Sequence, residues 1–346
     1  MQKIHNEIYD EGENNSLKSV LAAITTCKRK PEMVERAIKS VVAQTYTDWD
    51  LVVVDDSPSD YEFRDDVRKM VEGWSKRDSR IRYVPHDKNY GASHARNTAL
   101  RIANSTVALG GYEFIAYLDD DDEWLPEKLE KQIERFSECD ENTALVVGGL
   151  KIVYDNIMKI IEHVPLRRSE IKSFFQLAYQ CGTTTAPLIR TECINAVGGF
   201  DENLPAREDW EMWMRIVDKY KVEFIYEPLF IYHDHDGIHV SSSIRNHIKA
   251  REIINSKYRE YLEANKSEYW AQMMDIMILY YSAGEFKKAF RAWRKAISLQ
   301  PTRIVANITR PVILVAKCEI KNFLLKNSPT LLYYLKEIKK YIKERI

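Results

Sequence analysis

Four consecutive aspartates, Asp119-Asp120-Asp121-Asp122, stand directly behind the apolar run Phe114-Ile115-Ala116-Tyr117-Leu118. Carboxylates crowded in this way repel one another unless a cation relieves them. Hard divalent ions take carboxylate oxygens, and Mg²⁺ or Mn²⁺ commonly bridge protein carboxylates to substrate phosphates. The plainer reading is a solvated acidic turn ahead of the helical pattern that opens at Pro126; the strand in front and Trp124 behind favour a site. A second acidic pair, Glu208-Asp209, opens the amphipathic stretch 207–220. One carboxylate within reach of a hydroxyl is sufficient as a general base, although first-turn acids also simply favour a helix N-terminus. His233, His235 and His239 cluster further on, but their spacing carries no zinc signature.

These residues need elements to position them, and the chain supplies a regular alternation. Residues 20–24 are strand-like, and Pro31 opens a helix with Met33, Val34, Ala37, Ile38, Val41 and Val42 on one face. Leu51-Val52-Val53-Val54 reads as a strand buried on both faces. A helix carrying Phe63, Val67, Met70, Val71 and Trp74 follows, then a strand at 81–84, a helix at 92–103 and a strand at 114–118. Such alternation predicts an α/β fold with a mostly parallel central sheet and helices on both faces. Ligands gather at the carboxyl ends of strands in these sheets. Thr25-Thr26, Asp55-Asp56 and the four aspartates all fall at such ends. From about 144 to 163 the pattern changes to short strands with a turn at Asp155-Asn156, and beyond about 243 it is all-helical.

Taken in order, five segments resemble those of family 2 glycosyltransferases. Thr25-Thr26-Cys27-Lys28-Arg29 and Val53-Val54-Asp55-Asp56-Ser57 follow the first two strands. Asn89-Tyr90-Gly91-Ala92-Ser93-His94-Ala95-Arg96-Asn97 resembles the family's helix opening, and residues 117–126 its DxD segment. Gly198-Gly199-Phe200-Asp201 followed by Arg207-Glu208-Asp209-Trp210 resembles its acceptor-side motif. The match is collinear over roughly 18–242. It implies the Rossmann-like GT-A fold, a nucleotide-sugar donor with UDP expected, a glycan or lipid-linked saccharide acceptor, and an inverting single displacement. By the same resemblance Asp55 or Asp56 contacts the base, Thr25 positions it, Arg96 lies near the base or diphosphate, and Asp119 touches the ribose. Asp121, joined by Asp122, would bind Mn²⁺ or Mg²⁺, with His235 as a further metal or diphosphate ligand and Asp120 a bystander. Asp209 would be the base, with Glu208 the other candidate of the pair. His233 departs from the family pattern, which has Arg there.

The domain reading is an acidic head at 1–17, a catalytic region at 18–242 divided near 125, and a helical region at 243–346. Within the last, Gly284 to Ala289 and Ala296 to Pro301 resemble half of a tetratricopeptide hairpin, placed near 270–301. That region could serve a protein partner or self-association. The last 44 residues carry ten Lys or Arg against three Glu, and residues 331–346 form a basic amphipathic stripe suited to an anionic membrane surface. A formal net charge of -1 argues against a general nucleic-acid coat. Five scattered cysteines and a start without an apolar run lead to the expectation of a cytoplasmic protein, peripheral on the inner membrane face. Two other functions stay open. A nucleotidyltransferase normally brings a glycine-rich phosphate loop, and residues 25–31 contain no glycine. A vestigial interaction protein would not need Asp55, Asp119, Asp121 and Asp209 together.

Overall fold

The structure, a computed structural model, describes residues 20–105, 111–154, 159–171, 173–234 and 243–302. The acidic head, the turn at Asp155-Asn156, His235, His239 and the basic stripe at 331–346 lie outside the described residues.

The first half follows the expected alternation. Strand β1 (Val20–Thr26) leads to helix α1 (Pro31–Val42), where Pro sits at the start and Val34, Ala37, Ile38 and Val41 are buried. Strand β2 (Trp49–Asp55), helix α2 (Arg64–Ser75), strand β3 (Ile81–Pro85), helix α3 (Ala92–Ser105) and strand β4 (Phe114–Asp119) complete this unit. After the acidic run come the short β5 (Glu123–Trp124), α4 (Lys128–Ser137), the long β6 (Thr143–Tyr154) and β7 (Lys159–His163). Then follow α5 (Phe174–Gln180), β8 (Pro187–Arg190), α6 (Thr191–Ala196), α7 (Glu208–Lys219) and β9 (Lys221–Asp234).

Among the described residues these strands form one sheet in the order β3-β2-β1-β4-β8-β6-β9-β5, with β7 paired to β6. The four strands from β3 to β4 are parallel throughout. Beyond β4 the sheet turns mixed, because β8 runs antiparallel to both β4 and β6, while β6 and β9 are parallel. The strand order reverses between β1 and β4, which is where an open α/β sheet leaves a crevice. Register brings the chemistry to that edge: Thr26 pairs with Asp55, and Thr25 with Asp119. Val20 to Ile24 and Leu51 to Val54 have no exposed surface, so these strand ends are mounted on a rigid floor.

Four helices follow: α8 (Ile244–Lys257), α9 (Arg259–Ala264), α10 (Lys266–Ser282) and α11 (Phe286–Leu299). Ala250, Ile254 and Leu262 belong to the same buried cluster as the sheet. Phe174, Phe175, Trp210, Tyr258 and Tyr261 form one aromatic cluster that joins α5 and α7 to α8 and α9. Lys257 of α8 adds an ion pair to buried Glu211 of α7 at 2.6 Å. Helices α10 and α11 pack as a hairpin around Ile276, Met277, Tyr280, Ala289 and Ala292, with Gly284 at φ +76° in the link.

Candidate active site

Both aspartates that end β2 are buried and taken up by their own surroundings. Asp55 accepts from the Ser57 backbone N–H at 2.8 Å and from the Tyr83 hydroxyl at 2.7 Å. Asp56 accepts the backbone N–H groups of Tyr90 at 2.8 Å and Gly91 at 2.7 Å, and its Oδ1 lies 2.7 Å from His86 Nδ1. Gly91 at φ +98° turns those two successive amides onto one carboxylate. The two acids therefore fix the wall of the crevice at the β2 end. Thr25, half-buried on β1, sits across from Asp119.

The acidic run divides into four environments. Asp119 Oδ1 accepts from Arg96 Nη2 at 2.9 Å and from the Thr184 hydroxyl at 3.1 Å. Asp120 is buried and accepts from Arg29 Nε at 2.9 Å. Burial pushes its carboxyl up to about 6, against the pull of Arg29. Asp121 Oδ2 accepts from Arg29 Nη2 at 2.6 Å, and its backbone carbonyl from Arg36 at 2.6 Å. Asp122 is 1% exposed; its Oδ2 accepts from the Thr185 hydroxyl at 3.0 Å, and its Oδ1 is buried with no hydrogen-bond partner among the described residues. Burial, then the charges of Asp119 and Asp121, push its carboxyl well above the usual carboxylate range.

A divalent cation fits this donor set. An orphaned buried carboxylate oxygen beside two further carboxylates is a costly arrangement that a hard cation relieves. Among the described residues no three His, Cys, Asp or Glu side chains are already gathered as a ligand group. Arg29 holds Asp121 and Thr185 holds one oxygen of Asp122.

The Arg96-Asn97 pair ties the distant motifs together. Arg96 is 8% exposed; its Nη1 donates to Glu208 Oε1 at 2.6 Å while Nη2 holds Asp119. Asn97 accepts the Phe200 N–H at 2.9 Å and donates to the Phe200 carbonyl at 2.9 Å. The contact is close enough that a Cβ on Gly199, at φ +68°, would come within 2.7 Å of Asn97 Oδ1. The helix opening, the DxD run, the Gly-Gly-Phe-Asp turn and the Glu-Asp pair thus meet at α3.

Within the Glu208-Asp209 pair, Glu208 is committed to Arg96. Asp209 is half-buried, and it accepts a hydrogen bond from the Trp210 backbone N–H at 2.6 Å. Burial, then the charge of Glu208, push its carboxyl up to about 7 against Arg96. Lys28 (φ +55°) and Arg207 (φ +60°) are the non-glycine residues with positive φ among the described residues. They precede Arg29 and the acidic pair respectively, so both sites of backbone strain flank the crevice.

His235 lies outside the described residues, while His233 at the end of β9 has its Nε2 2.6 Å from Glu123 Oε1. Arg29, Thr184 and Thr185 escaped sequence reasoning as site residues. The run Thr183-Thr184-Thr185 ahead of an apolar strand was the available signal for the last two.

Comparison with known proteins agrees with this geometry. The profile of glycosyl transferase family 2 matches residues 22–194. An uncharacterized glycosyltransferase of Methanocaldococcus jannaschii is 26% identical over 221 residues, 62% of this chain and 71% of that protein. The Escherichia coli UDP-Glc:alpha-D-GlcNAc-diphosphoundecaprenol beta-1,3-glucosyltransferase WfgD is 30% identical over 186 residues, 53% of this chain; the match spans only 64% of that protein. Among solved structures, S. aureus TarS 1-349 in complex with UDP-GlcNAc superposes with a TM-score of 0.56 at 17% identity, covering 88% of this chain and 91% of that one. With the five motifs in order on a GT-A fold and the profile spanning residues 22–194 of 346, the chain belongs to glycosyl transferase family 2.

Proposed function

We propose that this chain transfers a hexosyl or N-acetylhexosaminyl group from a UDP-sugar to a hydroxyl of a growing glycan, by one inverting displacement. The observation that carries the reading is Arg96, which binds Asp119 and Glu208 together and leaves Asp209 beside them with no ion pair among the described residues. The acceptor hydroxyl attacks the anomeric carbon, and its proton passes to Asp209 as the bond to the nucleoside diphosphate breaks. A base held near neutrality suits that proton transfer at physiological pH. The strand end that carries Asp55 and Asp56 takes the base, Thr25 and Asp119 the nucleoside, and Arg96 positions both acidic segments. Asp121 and Asp122, with His235, would hold Mn²⁺ or Mg²⁺; when bound, the ion supplies Lewis-acid neutralisation of the diphosphate.

Support for a uridine donor and a lipid-linked acceptor comes from the name of the E. coli relative. Such an acceptor sits on a membrane, and the basic stripe at 331–346 suits the anionic cytoplasmic leaflet. Among the described residues no helix is long and apolar enough to cross a membrane. The helical region would dock the enzyme there or pair it with a protein partner. A nucleotide-sugar panel with Mn²⁺ and EDTA arms tests the reading: one UDP-sugar should be transferred or hydrolysed with metal and left intact with EDTA. Turnover of no nucleotide sugar under either condition would sink it.

A further inference from the structure

Beside the proposed base stands a guanidinium that no acid claims. Arg207 immediately precedes Glu208-Asp209 and is held at φ +60°, a conformation costly for a long side chain. Its Nε is buried with no hydrogen-bond partner, and no ion pair to it exists among the described residues. Its Cζ lies 5.8 Å from the Trp210 ring. A second guanidinium, Arg251 of α8, stands over the same ring at 4.6 Å. Arg251 is 4% exposed, and its Nε too is buried without a partner. Gln272 bonds one of its nitrogens, and Asp275 is 4.0 Å from another, the outer limit of an ion pair. Asp209 and Asp275 are within electrostatic reach of Arg207, and neither is bonded to it. Tyr179 is also within that reach, at the C-terminal end of α5, and is 70% exposed.

Two cations packed on one indole repel each other, and orphaned N–H groups cost more. Nothing in the catalytic reading needs them there. Resting on the assignment of Asp209 as the base, we infer that Arg207, half-buried and more accessible than Arg251, is the contacting part of an acceptor subsite for a phosphate oxyanion carried next to the reacting sugar. Arg251 adds its field from behind, and Tyr179 offers a ring face to the sugar. Guanidinium groups suit this task because their forked N–H groups match phosphate oxygens.

The test uses the full chain with its donor site filled by UDP and Mn²⁺. Calorimetric titration compares N-acetylglucosamine α-1-phosphate, the neutral methyl α-N-acetylglucosaminide and methyl glucuronide. The phosphate should bind about tenfold more tightly than the neutral glycoside. Arg207→Gln should erase that preference, and Arg207→Lys should keep part of it. UDP binding by each variant confirms that it is folded. A preference that survives Arg207→Gln, or no preference in the native enzyme, overturns the subsite. An equal preference for the glucuronide, lost in the same variant, overturns its assignment to phosphate. UDP titrated alone reports the donor reading separately: failure there, with an Arg207-dependent phosphate preference intact, would sink that reading and leave the subsite standing.

Discussion

Arg96 Nη1 lies 2.6 Å from Glu208 Oε1, so helix α3 grips the first acid of helix α7 across the crevice. The same side chain holds Asp119 at 2.9 Å. Removing this buried cation leaves two carboxylates without their partner. Arg96→Ala should therefore destabilise the protein by about 3–5 kcal/mol in urea denaturation. Glu208→Gln keeps one acceptor for Arg96 and should cost far less. Equal losses from the two substitutions would show that the clasp is not centred on Arg96.

As the proposed base, Asp209 should set the pH dependence of transfer. Its carboxyl is raised to about 7 by burial and then by Glu208, so the base form is lost as pH falls through that value. Transfer should rise with pH and reach half its plateau near pH 7. The stability sign is opposite. The folded carboxyl holds its proton more tightly than the unfolded one, whose ordinary value is 3.8. Its contribution is fully present below the unfolded value and lost as pH rises through about 7. The melting temperature of Asp209→Asn relative to the native protein should therefore climb between pH 5 and pH 8, as followed by circular dichroism.

Thr185 holds Asp122 Oδ2 at 3.0 Å and accepts the Asp119 N–H at 3.2 Å. Thr185→Val keeps the shape and removes both bonds. If Asp122 holds the divalent ion, Mn²⁺ affinity should fall roughly 10–100-fold, as is usual when a ligand's outer partner is lost. Electron paramagnetic resonance of free Mn²⁺ reads this directly, without turnover. Unchanged affinity would remove Asp122 from the ligand set.

Much of this was legible beforehand. The four parallel strands announced themselves as short β-branched runs, and the five motifs carried the donor edge and the Glu-Asp pair. The mixed half was harder, because β8 has four residues and its antiparallel place between β4 and β6 depends on contacts far away in sequence. Arg96 was readable as a motif residue but not as a clasp: its partners lie 23 and 112 positions away. The contact of Arg29 with Asp120 has no signature in the strand alternation, because the two lie 91 positions apart. Thr184 and Thr185 act through hydroxyls, which have no periodic signature.

Gly199 tests the junction between the helix opening and the acceptor-side turn. At φ +68°, with Asn97 Oδ1 2.7 Å from the place of a Cβ, Gly199→Ala is both strained and crowded. A loss of about 1–3 kcal/mol is expected. Thermal unfolding should show it, and Asn97→Ala should relieve the crowding part in the double variant.

Two roles are proposed together: Asp209 moves the acceptor's proton, and the aspartates behind β4 hold the donor. The most direct measurement compares Asp209→Asn with Asp121→Ala for UDP-sugar binding in Mn²⁺ and for transfer. Both variants should lose transfer, by about 10²-fold or more for the base. Donor binding should persist in Asp209→Asn and disappear in Asp121→Ala. Normal turnover by Asp209→Asn would contradict it.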